Sequence, residues 1–180
     1  MRVITGKARG VVLKTPNGMA TRPTADRVKE ALFNIIQFDV PTARVLDLFG
    51  GTGQLGIEAL SREAKSAVFV DEREDACRLI KENLKRTKLE QFARVIRSDY
   101  MAYLKTCRDK FDIIILDPPY AEVFLENSLK MITEIDILQS GGIMVAERPL
   151  GKELPWEFPG FERSKDYKYG KTLITIYRKL

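Results

Sequence analysis

The stretch from Phe111 to Tyr120 constrains this chain more than any other. Ile113-Ile114-Ile115-Leu116 is apolar at every position, so neither side of such a strand can face water. It belongs in the middle of a parallel sheet covered by helices on both faces. The run stops at Asp117-Pro118-Pro119-Tyr120. Neither proline can donate to a ladder, and each holds φ near about −65°, so the strand closes with a carboxylate at its carboxyl end, where ligands bind in open α/β sheets. A simple strand-ending turn uses the same residue types. The meaning of the tetrad therefore depends on what the rest of the chain supplies.

From residue 41 onward the apolar pattern alternates between strand and helix. Strands are expected at residues 44–49, 67–71, 93–97, 112–116 and 142–146, and helices at 55–62, 74–85, 100–106 and 124–132. The last β-prone segments, 161–167 and 172–177, have no helical stretch between them, so they must run antiparallel. Near the start, Val3-Ile4-Thr5 and Val11-Val12-Leu13 flank a glycine-bounded tip that carries Lys7 and Arg9. That pattern predicts a small β-hairpin. A helix follows, with Val28, Ala31, Leu32, Ile35 and Ile36 on one side. The expected fold is α/β: a Rossmann-like, doubly wound mixed sheet of about seven strands with a C-terminal antiparallel hairpin, preceded by the small N-terminal hairpin. The 180 residues suffice for one well-buried core with little to spare.

Composition narrows the chemistry. The sequence contains no histidine, which removes imidazole-dependent nucleophilic schemes and makes a zinc hydrolase a poor fit. Cys77 and Cys107 lie in no metal-ligand or redox spacing and are expected to be reduced thiols. No resident metal is expected. There is no apolar run of signal-peptide or membrane-spanning length, so a cytoplasmic protein is expected. The net charge of +5 is concentrated: five of the 30 basic residues, Arg2, Lys7, Arg9, Lys14 and Arg22, precede residue 26 without a single acid, which leaves 25 to balance the 25 acidic residues. Such a segment is either a solvated basic arm or a phosphate-contacting one.

A second motif follows the first of the alternating strands: Asp47-Leu48-Phe49-Gly50-Gly51-Thr52-Gly53-Gln54-Leu55-Gly56. Gly51, Gly53 and Gly56 satisfy G-x-G-x-x-G, and Asp71 ends the next strand about 20 residues on, as in a dinucleotide site. Against that, a carboxylate just before the turn would oppose a pyrophosphate, which needs helix N-termini and positive charge. S-adenosylmethionine presents a sulfonium and an ammonium instead, and Asp47 suits both. Asp71 would then accept from the ribose hydroxyls and Asp99 from the adenine amine.

The order Asp47-x-Phe49-x-Gly51-x-Gly53, then Asp71, Asp99 and Asp117-Pro118-Pro119-Tyr120, resembles class I S-adenosylmethionine-dependent methyltransferases that act on exocyclic amines. Residues 22–34, Arg-Pro-Thr-Ala-Asp-Arg-Val-Lys-Glu-Ala-Leu-Phe-Asn, together with Gly6-Lys7-Ala8-Arg9-Gly10, are similar to the RsmD family of 16S ribosomal RNA guanine-N2 methyltransferases. The resemblance implies a cofactor site of Asp47, Phe49, Gly50, Gly51, Gly53, Asp71, Asp99 and Tyr100. It implies a catalytic group of Asp117, Pro118 and Tyr120. Asp117 and the Pro118 carbonyl would accept the two amine protons, which turns the nitrogen lone pair toward the methyl group, while Tyr120 would stack on the extruded base. Arg2, Lys7, Arg9, Arg22 and Arg27 would contact phosphates. Residues 1–40 would serve RNA recognition and cover the cofactor, and residues 41–180 would form the cofactor domain of a monomer acting on 16S ribosomal RNA within an assembled small subunit.

Three other functions share parts of this pattern. A DNA adenine-N6 methyltransferase uses the same tetrad but resembles two-part proteins with a sizeable recognition domain, for which no residues remain. A nicotinamide-dinucleotide oxidoreductase is favoured by the glycine spacing and opposed by Asp47. A non-catalytic RNA-binding protein would need the basic segment alone.

Overall fold

The structure is a computed structural model that describes residues 1–16, 23–119, 122–151, 153–154 and 157–180. Its centre is a sheet of eight strands among the described residues: β1 (Arg44–Asp47), β2 (Ser66–Asp71), β3 (Ala93–Arg97), β4 (Phe111–Leu116), β5 (Leu138–Pro149), β6 (Phe161–Arg163), β7 (Tyr167–Tyr169) and β8 (Thr172–Lys179). They lie in the order β3-β2-β1-β4-β5-β8-β6, with β7 also paired to β8. Strands β1 to β5 are parallel and β8 is antiparallel to β5. The direction of winding reverses between β1 and β4, which creates the crevice at which ligands settle in such sheets.

The pleat sorts the strand residues into two layers. Val45, Phe69, Ile113, Ile115, Ile143 and Val145 point to one face and share a core with α1 (Pro23–Ile35), α2 (Gln54–Ser61) and α3 (Glu74–Thr87). Leu46, Val70, Ile114, Leu116, Met144 and Ala146 point to the other, against α4 (Tyr100–Thr106) and α5 (Glu122–Glu134). β4 is buried from Ile113 to Leu116, as a strand covered on both faces must be. Helix α3 shows why these segments are helical. It buries Ala76, Cys77, Ile80, Asn83, Leu84 and Thr87, carries Glu74 and Asp75 in its first turn and Lys85 and Arg86 in its last, and stops at Lys88 in the left-handed region. The charges complement the helix dipole. Cys77 and Cys107 are both buried and unbridged.

Three local features differ from the sequence expectation. The N-terminal hairpin is shorter than expected: Arg2 bridges Val12, Val3 N–H donates to Val11 O, Gly10 N–H to Val3 O and Leu13 N–H to Met1 O, while from Ile4 onward the backbone of the arm bonds sideways to α2. Strand β5 runs on past Ala146 to Pro149. The segment 161–167 is not one strand but parts of β6 and β7, since Ser164 takes over the pairing with Ile176 through its own N–H and Oγ (2.8 and 3.0 Å) and Asp166 turns toward Thr175, Arg148 and Arg163. That split is why the sheet has eight strands where about seven are expected. No helix among the described residues is long and apolar enough to cross a membrane.

Candidate active site

At the carboxyl ends of β1, β2, β4 and β5 the apolar rows facing α1–α3 give way to acids. Asp47 follows Val45, Asp71 follows Phe69, Asp117 follows Ile115 and Glu147 follows Val145, each two residues on and therefore on the same face. Asp47 is 2% exposed. One of its oxygens accepts from the Gly56 N–H at 3.1 Å. Burial pushes its carboxyl up to about 7, that hydrogen bond pulls the other way, and the neighbouring Asp117 and Asp71 add repulsion. Burial likewise raises Asp117 to about 6. Glu147 rises to about 8 through burial and the charge of Asp117. Pro118 is half-buried beside Asp117 and Pro119 is exposed. Tyr120 lies outside the described residues.

The turn after β1 is held by backbone: Gly50 N–H donates to Val70 O at 2.8 Å and Gly53 N–H to Gly50 O at 2.7 Å. Gly51 N–H donates to Asp71 Oδ2 at 2.9 Å, while Asp71 Oδ1 accepts from Arg73 N–H. Gly51 and Gly53 have φ of 57° and 79°, a region that favours glycine. A side chain at Gly51 would meet only Phe49 O, at 3.8 Å, so this position borders open space where a ligand can approach the backbone. Gly56 serves another purpose. A Cβ there would lie 2.3 Å from the Phe69 ring, so the third glycine of the spacing lets α2 pack on β2.

Asp99 caps α4, with Oδ1 accepting from Met101 N–H and Ala102 N–H at 2.9 and 3.1 Å. Among the described residues no hydrogen bond to its second oxygen is seen. Phe49 and Tyr100 stand 5.3 Å apart between ring centroids, and Phe124, at the start of α5, lies 5.6 Å from Tyr100 and 6.5 Å from Phe49. Phe124 escapes sequence reasoning because its partners are more than 20 residues away and nothing marks it among the apolar positions of α5.

Arg2, Lys7, Arg9 and Arg27 are exposed, with Lys7 3.9 Å from Glu63; Arg22 lies outside the described residues. The arm that carries the first three is anchored by buried polar groups. Glu58 of α2, 0% exposed, accepts from Ile4 N–H and Thr5 N–H at 2.8 and 3.0 Å and from Arg62 Nε at 2.9 Å. Its other ion partner is Lys29, whose Nζ lies 3.6 Å away and donates to Arg2 O. Burial lowers the Lys29 ammonium, and Glu58 and Asp26 oppose that. Asn83 of α3 donates to Thr52 O in the glycine turn and to Lys14 O, and accepts from Lys14 N–H. The anchors onto the arm join residues 27 to 69 positions apart, a separation that local patterns do not report.

The family described as conserved hypothetical protein 95 matches residues 1–178. The chain belongs to that family. YlbH of Bacillus subtilis is 41% identical over 182 residues, covering 99% of each chain. The Escherichia coli protein named Ribosomal RNA small subunit methyltransferase D is 32% identical over 180 residues, covering 99% of this chain and 90% of its own. Among solved structures, Escherichia coli yhhF superposes with a TM-score of 0.89 at 28% identity, over 99% of this chain and 97% of that one. The family's fold is that of the class I methyltransferases, and it accounts for the chain from the arm to β8.

Proposed function

We propose that this chain transfers a methyl group from S-adenosylmethionine to the exocyclic N2 amine of a guanine in small-subunit ribosomal RNA. The observation that carries the reading is the row of acids at the strand ends: Asp47 is buried beside a glycine turn that opens at Gly51, Asp117 ends β4 on the same face, and Asp71 is the member with a cation beside it, Arg73 at 3.5 Å. Such a site opposes a pyrophosphate and suits a cationic ligand plus an amine donor. The cofactor fits this donor set. Asp47 would face its positive charge, Asp71 and Asp99 would accept from ribose and adenine, Phe49 and Tyr100 would supply apolar surface for the adenine ring, and Gly50, Gly51 and Gly53 would shape the turn that holds it. When bound, it supplies an electrophilic methyl on a sulfonium.

The protein's contribution is orientation and charge. An exocyclic amine is a weak nucleophile because its lone pair is delocalised into the ring. Asp117 and the Pro118 carbonyl accept hydrogen bonds from its two N–H groups and leave the lone pair perpendicular to the ring, and the prolines hold both acceptors still. As the nitrogen's bond to the methyl carbon forms, that carbon's bond to sulfur would break and leave a neutral thioether; the nitrogen becomes strongly acidic, so its proton passes to Asp117 without a separate strong base. Tyr120 would stack on the extruded base. Arg2, Lys7, Arg9, Arg22 and Arg27 would hold the surrounding phosphates. Similarity to the Escherichia coli small-subunit ribosomal RNA methyltransferase D supports small-subunit RNA as the substrate; a substrate still carrying ribosomal proteins and a monomeric enzyme complete the proposal.

The test is incubation with labelled S-adenosylmethionine and either free 16S RNA or small subunits from cells lacking the activity, followed by nucleoside analysis. N2-methylguanosine is the expected product. N6-methyladenosine would overturn the choice of base, and no RNA product on either substrate would overturn the function.

A further inference from the structure

The proposed mechanism leaves one group of the acid row without a role. Glu147 stands on β5, one residue beyond Ala146, and Ala146 pairs with Leu116, the residue before Asp117. In parallel strands equal steps keep equal faces, so Glu147 and Asp117 are lateral neighbours on adjacent strands. Glu147 continues the inward row of Ile143 and Val145, where packing alone would favour another apolar side chain. It is half-buried, and among the described residues no hydrogen bond or ion pair engages it. Across its other edge the register neighbour is Ile174 of β8. The adjacent Arg148 points to the opposite face, where it binds Asp166. Among the described residues, the charge acting on Glu147 is that of Asp117.

We propose that Glu147 is a second base-contacting residue, whose protonated carboxyl donates to the ring nitrogen beside the amine that Asp117 accepts. Two neighbouring carboxyls facing no cation cannot both ionise cheaply, so the pair carries a single proton. Asp117 is the member that must stay ionised to accept from the amine. Glu147 then presents an O–H. An acceptor and a donor side by side match the N–C=N edge that an exocyclic amine forms with its ring nitrogen, N2–C2–N3 in guanine. The elevated carboxyl of Glu147 agrees with this at neutral pH. The pair's one negative charge also balances the positive charge brought by the methyl donor. This inference rests on the methyl-transfer reading.

The experiment is a set of single-turnover pH profiles between pH 6 and 9 for wild type, Glu147→Gln and Glu147→Ala, with 16S RNA or subunits and saturating S-adenosylmethionine. The wild-type rate is expected to fall above about pH 8 by up to about tenfold per unit. Glu147→Gln keeps a donor that cannot ionise, so its rate at pH 7.5 stays within a few-fold and its alkaline limb disappears. Glu147→Ala loses about 10–100-fold in rate at pH 7.5, with cofactor affinity measured by calorimetry unchanged. A Gln variant that keeps the alkaline limb, or that is as slow as the Ala variant, overturns the donor role. If the Ala variant fails to fold, the Gln profile alone decides. Wild-type protein that methylates no RNA under any condition overturns the function itself, a result distinguishable from any pattern among the variants.

Discussion

Glu58 and Asp47 are both fully buried acids in the same layer, α2 lying against β1, and they are treated in opposite ways. Glu58 is surrounded by compensation: two backbone N–H groups, Arg62 and Lys29. Asp47 has one backbone N–H, and its charged neighbours are further acids. A satisfied buried carboxylate fixes one piece of chain to another, here the N-terminal arm to α2. An unsatisfied one costs stability in the empty protein and offsets that cost only when something cationic or proton-donating arrives. On the proposed reading, compensation thus separates the acid that builds the fold from the acids that serve the ligand.

The sharpest way to break this distinction is at Asp117. Asp117→Ala should lower methyl transfer by at least about a thousandfold while calorimetry shows cofactor affinity within a few-fold of wild type; retained turnover would remove Asp117 from the chemistry. Glu58→Gln should do the reverse. It places an amide N–H₂ among donors and strips Lys29 of its buried counter-charge, so a loss of about 3–5 kcal/mol is expected in urea unfolding. A loss under 1 kcal/mol would mean that the arm is held by packing alone.

Asp47→Asn sharpens the comparison through its pH dependence. The native pKa of Asp47, about 7, lies above the ordinary 3.8, so between those values the native state holds the extra proton and stability falls as pH rises. Removing the charge should therefore stabilise the cofactor-free protein at pH 8 by about 1–3 kcal/mol, with little change at pH 4. The same variant should bind S-adenosylmethionine about 10–100-fold more weakly. Stability unchanged at pH 8 would show that Asp47 is already compensated. The smallest effect is expected at the surface. Lys7→Glu with Arg9→Glu should weaken RNA binding about tenfold and flatten its salt dependence, and an unchanged slope would take the arm's tip out of the interface.

Much of this was legible in the sequence because it is local. The unbroken apolar run of β4 predicts its central place, the alternation of strands and helices predicts the parallel sheet, and the glycine turn with Asp47 and Asp71 predicts where the crevice opens. What escaped is nonlocal. Glu147 lies one residue beyond the expected end of its strand; only the register with β4 reveals it as a neighbour of Asp117. Nothing in the sequence marks Lys29 and Glu58 as partners, since their mutual contact and their bonds to residues 2–5 cross 27 to 54 positions of chain. Gly56 fits a nucleotide-binding spacing, yet its reason is the Phe69 ring.

The division of the last hairpin has a consequence for how the sheet meets other molecules. An unbroken outer strand would offer a continuous row of unpaired amides and carbonyls, a template on which another chain could add itself. Here that border consists of two three-residue pieces, β6 and β7, interrupted at Ser164-Lys165-Asp166, where Ser164 and Asp166 bond to Ile176 and Thr175 of β8. At the opposite border, β3 carries Arg94 and Arg97, each held by an acid, Asp109 and Glu74. Both margins are thus poor places for aggregation to start, and the chain keeps its sheet finite by breaking one edge and charging the other.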